Sequence, residues 1–133
     1  MTKETFWEYI KSLENRDVFT VTENEKNTIK KVENTGSISD RVIIEKRESF
    51  PTREDLWSAF QLLTVQNKLN RIPDLEWLKE KRVSSIVFAI LSTIPGVTVK
   101  DAGKNNPILL IDNCSNYFMP ILIPTLSLHF HRC

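Results

Sequence analysis

The stretch that decides the fold is Val83 to Ile111, VSSIVFAILSTIPGVTVKDAGKNNPILLI. Two serines near its start can cap a helix, Ile86 to Leu91 follow without a polar interruption, and Pro95-Gly96 ends the run. A helix that is apolar all round must be buried all round, so the pattern predicts a central core helix over 84–94 with the rest of the chain packed around it. Phe88 and Leu91 are its main core side chains. Two short apolar strands, Val97 to Val99 and Ile108 to Ile111, flank the loop Lys100 to Asn106 and predict a hairpin.

Before this stretch, Thr52 stands at an N-cap position and Asp55, three residues on, completes a capping-box-like start. Leu56, Ala59, Phe60 and Leu63 then form one face of a helix, widened by Trp57, that should end near Asn67. Leu69 and Ile72 are expected to tuck the connection inward. Pro73 closes it, and Asp74 is read as the cap of a short helix over 74–80 bearing Leu75, Trp77 and Leu78. Lys79 to Arg82 is read as an exposed link.

At the other end, residues 3–14 place Phe6, Tyr9, Ile10 and Leu13 on one helical face, with Thr2 as cap. Val18 to Thr22, Thr28 to Glu33 and Arg41 to Lys46 read as three strands separated by polar turns. Ile29 and Val32 break strict alternation, which predicts a bulge in the second strand. Consecutive strands most simply pair as an antiparallel meander. The fold class expected is α+β: an N-terminal helix and three-stranded meander, then three helices and a β-hairpin, forming a single domain over 1–112.

Past Asp112 the character changes. Residues 113–133, NCSNYFMPILIPTLSLHFHRC, hold one charged side chain and two prolines within an apolar run. Two readings stay open, a final strand over Leu126 to Phe130 or an extension that is no selected part of the domain. An ordered tail needs a cover for its apolar surface, since a large exposed patch is an association site.

With 133 residues, 26% charged and 41% hydrophobic, the composition is that of a folded domain. Cys114 and Cys133 cannot build a disulfide framework, and no run of eighteen apolar residues offers a membrane span. The charged N-terminus is no signal peptide, so the expected setting is cytoplasmic with no membrane partner. Residues 1–50 carry nine basic and ten acidic side chains and residues 51–112 carry eight and seven. The basic excess usual in nucleic-acid binders is therefore missing from the composition.

Chemistry-bearing motifs are sparse. His129, His131 and Cys133 alternate and form a zinc-compatible set, yet with Cys114 every ligand would come from one tail, and no metal or cofactor is assigned. The acidic pairs Glu45 with Glu48, Glu54 with Asp55, and Asp74 with Glu76 lie in no nuclease-like pattern, and strand carboxylates beside Lys and Arg usually form a solvated face. Gly-rich phosphate loops are absent from the sequence. No catalytic residue is proposed, and the protein is not expected to be an enzyme.

The order helix 52–67, short helix 74–80, core helix 84–94 and hairpin 97–111 resembles a winged helix, a shape class in which the third helix normally enters the DNA major groove. The departure is that this helix offers only Ser84, Ser85, Ser92 and Thr93 for base edges, where Arg, Lys, Asn or Gln are needed. Phosphate contacts would come from Lys79, Lys81 and Arg82 before the helix and from Lys100 and Lys104 on the wing. The competing account is that these five charges only keep link and loop solvated. The function expected on this basis is a non-catalytic, nucleic-acid-associated accessory module that touches the phosphate backbone. The alternative is a protein-interaction or oligomerisation module using the apolar tail and Trp7, Trp57 or Trp77.

Overall fold

The structure, a computed structural model of the chain, describes residues 1–78, 80–102 and 106–111. Thr2 caps α1 (Lys3–Lys11), its Oγ1 accepting the Thr5 N–H at 3.1 Å. Phe6, Trp7 and Ile10 are buried on this helix. Next come β1 (Asp17–Phe19), β2 (Lys26–Val32) and β3 (Val42–Ile44), an antiparallel sheet in the order β1-β2-β3. The expected irregularity is present, with the register shifting between Ile29 and Lys31. Val18, Ile29, Val32, Val42 and Ile44 point into the core. The first strand is shorter than its alternation implied, because Thr20 already belongs to a turn in which its N–H donates to Glu25 O and its carbonyl accepts from Asn24 N–H.

The capping box is complete at the start of α2 (Arg53–Gln66): Thr52 Oγ1 accepts the Asp55 N–H at 3.1 Å and Asp55 Oδ2 accepts the Thr52 N–H at 3.2 Å. The helix ends at Asn67, whose φ of 65° is the left-handed conformation that asparagine tolerates better than most residues. Phe6 of α1 stacks on Phe60 with ring centroids 4.9 Å apart and lies 5.3 Å from Trp57, so aromatic contacts join the two helices.

Several expectations fail between Asn67 and Arg82. Residues 68–70 form a strand, β4 (Lys68–Asn70), with only Leu69 fully buried. The short helix over 74–80 does not form in the described residues; 71–78 are turns. Their hydrogen bonds mix spacings, from Leu75 N–H to Arg71 O, from Glu76 N–H to Pro73 O and from Leu78 N–H to Leu75 O. Asp74 caps no helix there, because its Oδ2 is taken by the Asn70 N–H at 2.8 Å. Leu75 and Leu78 are buried as their hydrophobicity requires, but Ile72 is 50% exposed rather than tucked inward.

The central helix α3 (Lys81–Ser92) begins earlier than the serines suggested, with Glu80 at the cap position making no side-chain capping bond. Lys81 and Arg82 thus belong to its first turn instead of a link, and Ser84 sits buried in the helix. From Val83 to Leu91 every side chain is buried except the half-buried Ser85. The hairpin forms as expected from β5 (Val97–Lys100) and β6 (Ile108–Ile111). β4 joins its other side, giving the order β4-β6-β5 with β6 in the centre. Tyr9 Oη donates to Thr93 O at 2.8 Å and ties α1 to the end of α3.

The fold is therefore α+β, with three helices and two small antiparallel sheets among the described residues, set around one cluster of buried side chains running from Phe6 to Ile111. The winged-helix resemblance is not confirmed. Turns stand where its second helix belongs, and the helix that would enter a groove is enclosed.

Candidate functional site

Between the meander and the N-terminal turns of α3 lies an open cleft of about 910 Å³. One wall comes from the second half of the chain. Arg71 donates from Nη1 to Ser85 Oγ at 3.3 Å, which fixes the loop after β4 against the second turn of α3. Exposed Arg82 projects one turn earlier on the same helix, and Phe88 and Pro107 complete this wall. Asn106 holds the base of the hairpin loop in place: its Oδ1 accepts the Ile72 N–H at 3.1 Å and its Nδ2 donates to Ile72 O at 2.9 Å. The α3 terminus, the loop at Arg71 and the start of β6 are therefore gathered at one end of the fold.

The opposite wall is the β1–β2 turn and the segment that follows β3. Arg47 spans it, donating from Nε to Asn27 Oδ1 at 2.7 Å and from Nη2 to Glu25 Oε1 at 3.1 Å. Asn27 is 5% exposed, and its Nδ2 donates back to Glu25 O, so the turn is braced by a polar network rather than by apolar packing. Lys26, Lys46, Glu23, Glu45 and Glu48 line the same wall, together with threonine and serine hydroxyls. Lys46 is held at φ 67°, a left-handed turn that ends the β3 segment.

Of the five cations singled out in the sequence, Arg82 lies at the cleft, Lys81 opens α3, and Lys100 is exposed at the end of β5 opposite Ile108. Lys79 and Lys104 lie outside the described residues, as do Cys114, His129, His131, Cys133 and the rest of the tail. The structure adds Lys26, Lys46, Arg47 and Arg71, which sequence reasoning missed because they come from separate segments that only the folded chain brings together. Among the described residues, no group of three His, Cys, Asp or Glu is placed to hold a metal ion, and no helix is long and apolar enough to cross a membrane.

Several other candidates have structural duties. Glu54 pairs with Lys3 at 2.8 Å, and Asp55 and Asp74 are committed to backbone N–H groups. Trp7 is 2% exposed, donates from Nε1 to Glu33 O at 3.1 Å and lies under the Arg53 guanidinium at 5.3 Å. Trp57 is half-buried in the aromatic cluster, which leaves Trp77, 45% exposed, as the tryptophan most open to solvent. Comparisons with protein-family models, with curated proteins and with solved structures find no match.

Proposed function

We propose that the protein is a non-catalytic module that binds nucleic acid through the phosphate backbone. The observation that carries this reading is the gathering of Arg82, Arg71 and the base of the hairpin at one end of α3, beside a cleft whose other wall supplies Lys26, Lys46 and Arg47. Guanidinium groups match phosphate geometry with paired donors. A buried α3 offers no row of side chains to a major groove, so contact with the backbone rather than reading of duplex base edges fits the fold.

The test is binding to random-sequence duplex DNA, single-stranded DNA and RNA across a salt series. Affinity should be insensitive to duplex sequence and fall steeply with salt. Replacing Lys81 and Arg82 together by Ala, and separately Lys100 and Lys104, should weaken it while the melting temperature holds. No detectable binding of the parent protein to any of the three at low salt overturns the reading.

A further inference from the structure

We infer that a second groove, independent of the cleft, takes an arginine side chain of a protein partner. The groove measures about 250 Å³, lies between the starts of α2 and α3, and is lined by Phe50, Asp55, Trp77, Leu78, Glu80 and Val83. It is smaller than the roughly 300–1,000 Å³ of a small-molecule site and suits one long side chain. Leu78 and Val83, each 8% exposed, give an apolar floor for a methylene stem, and half-buried Phe50 and exposed Trp77 give aromatic sides on which a guanidinium stacks. Trp77 is 45% exposed yet held, since its Nε1–H donates to Asp74 O at 2.8 Å. A large aromatic ring fixed in place and open to water is suited to anchor a partner.

Charge decides what the groove accepts. Its lining holds two carboxylates, Asp55 and Glu80, and among the described residues no lysine or arginine. The described ion pairs join Lys3 to Glu54, Arg41 to Glu33, Arg47 to Glu25 and Arg53 to Asp40, so neither groove carboxylate is spent on one. Asp55 is oriented by the capping box, and Glu80 makes no side-chain capping bond. Each stands at a helix start, whose partial charge of about +0.5 offsets part of a carboxylate and leaves the groove negative. Arg41, held by Glu33 and outside the lining, already lies 5.6 Å from the centroid of the Phe50 ring, so guanidinium stacking is in use beside the site. On α3, Arg82 and Ser85 share the face at the cleft, while Glu80 and Val83 share the face at the groove. The two sites are therefore separate, and a phosphate suited to the first is repelled by the second.

The experiment titrates the full chain at low salt with two short alanine-glycine peptides that differ at one position, arginine in one and citrulline, its neutral isostere, in the other. NMR follows the indole N–H of Trp77. The expected result is a shift of that signal with the arginine peptide, bound at least about fivefold tighter than the citrulline peptide. The protein's formal charge of +1 gives a cation no general attraction, so the preference reports the groove. Glu80→Gln should bring the two peptides toward equal affinity, and because Glu80 is exposed and makes no capping bond, the melting temperature should hold. Trp77→Ala should weaken the arginine peptide as well, read from the Val83 amide.

A Trp77 signal that the arginine peptide leaves unmoved, equal binding of the citrulline peptide, or a preference that survives Glu80→Gln overturns this inference. Arg82→Ala, which weakens the proposed backbone contact, should leave the arginine peptide bound. Loss of the peptide in that variant would place it in the cleft and overturn the groove as its site.

Discussion

Nη1 of Arg53 lies 3.8 Å from Oδ2 of Asp40, and the Arg53 N–H donates to the Asp40 carbonyl. This contact pins the loop between β2 and β3 to the start of α2. Asp40 is 2% exposed and also accepts from Thr35 Oγ1 and from the N–H groups of Thr35 and Gly36. The Thr35 hydroxyl, above all, holds its carboxyl below the usual carboxylate range, with the two N–H donors and Arg53 helping and burial opposing. Glu33 is lowered as well, mainly by the hydrogen bond from the Arg41 side chain.

A carboxylate lowered in the folded state contributes stability that is complete above its ordinary titration, near pH ~4, and is lost as pH falls through the folded value. Asp40→Asn should therefore lower the melting temperature by an amount that is constant at neutral pH and shrinks below about pH 4. A difference between parent and variant that stays unchanged down to strong acid would count against this account.

Phe88→Ala and Leu91→Ala should each cost about 2–5 kcal/mol, because both side chains are at most 1% exposed on the enclosed helix. The corresponding fall in melting temperature is about 6 °C or more. Calorimetry that finds shifts of a degree or two for both variants would mean that α3 is not the centre of the core.

Thr52→Ala removes the acceptor for the Asp55 N–H and half of the capping box. The expected loss is about 0.5–2 kcal/mol. Thr52→Ser, which keeps the oxygen, should recover most of it in denaturant titrations.

Asn106→Ala deletes both hydrogen bonds to Ile72. Because the site is exposed, the global cost should be small, about 0.5–1.5 kcal/mol. The sharper readout is amide exchange, in which the Ile72 N–H should lose protection while the buried amides of α3 keep theirs.

Arg82→Ala and Lys100→Ala should each reduce the slope of log affinity against log salt by about 0.9 for every phosphate that the native side chain neutralises, if the proposed binding operates. Both residues are exposed and lie on no apolar stripe, so stability should change by less than about 0.5 kcal/mol. A slope identical to that of the parent would remove the residue from the interface.

Much of the fold was legible because its signals are local. The capping box, the helix end at Asn67 and the paired apolar runs of the hairpin each announce themselves within a few residues. β4 was not legible: Lys68-Leu69-Asn70 has one apolar residue, and only its pairing with β6 far along the chain makes it a strand. Asp74 misled for a related reason, since an aspartate before Leu75 looks like a cap until its actual partner, the Asn70 N–H, is seen. Arg82 was singled out from its place before the core helix, and the fold sets it at the cleft. Arg47 and Arg71 were not, because nothing in their own neighbourhoods distinguishes them from solvated surface charges, and the cleft they share is made by tertiary contact alone.

The central place of β6 has a consequence for the order in which the molecule can assemble during synthesis. The meander pairs strands that are neighbours in the chain, so it is able to close as soon as β3 has been made. The second sheet has no such option, because β4 must wait, unpaired, until the whole of α3 and β5 has followed and β6 slots between them. A chain released before Ile108 would thus leave β4 and β5 with open backbone edges where β6 belongs, a species for chaperones rather than for function.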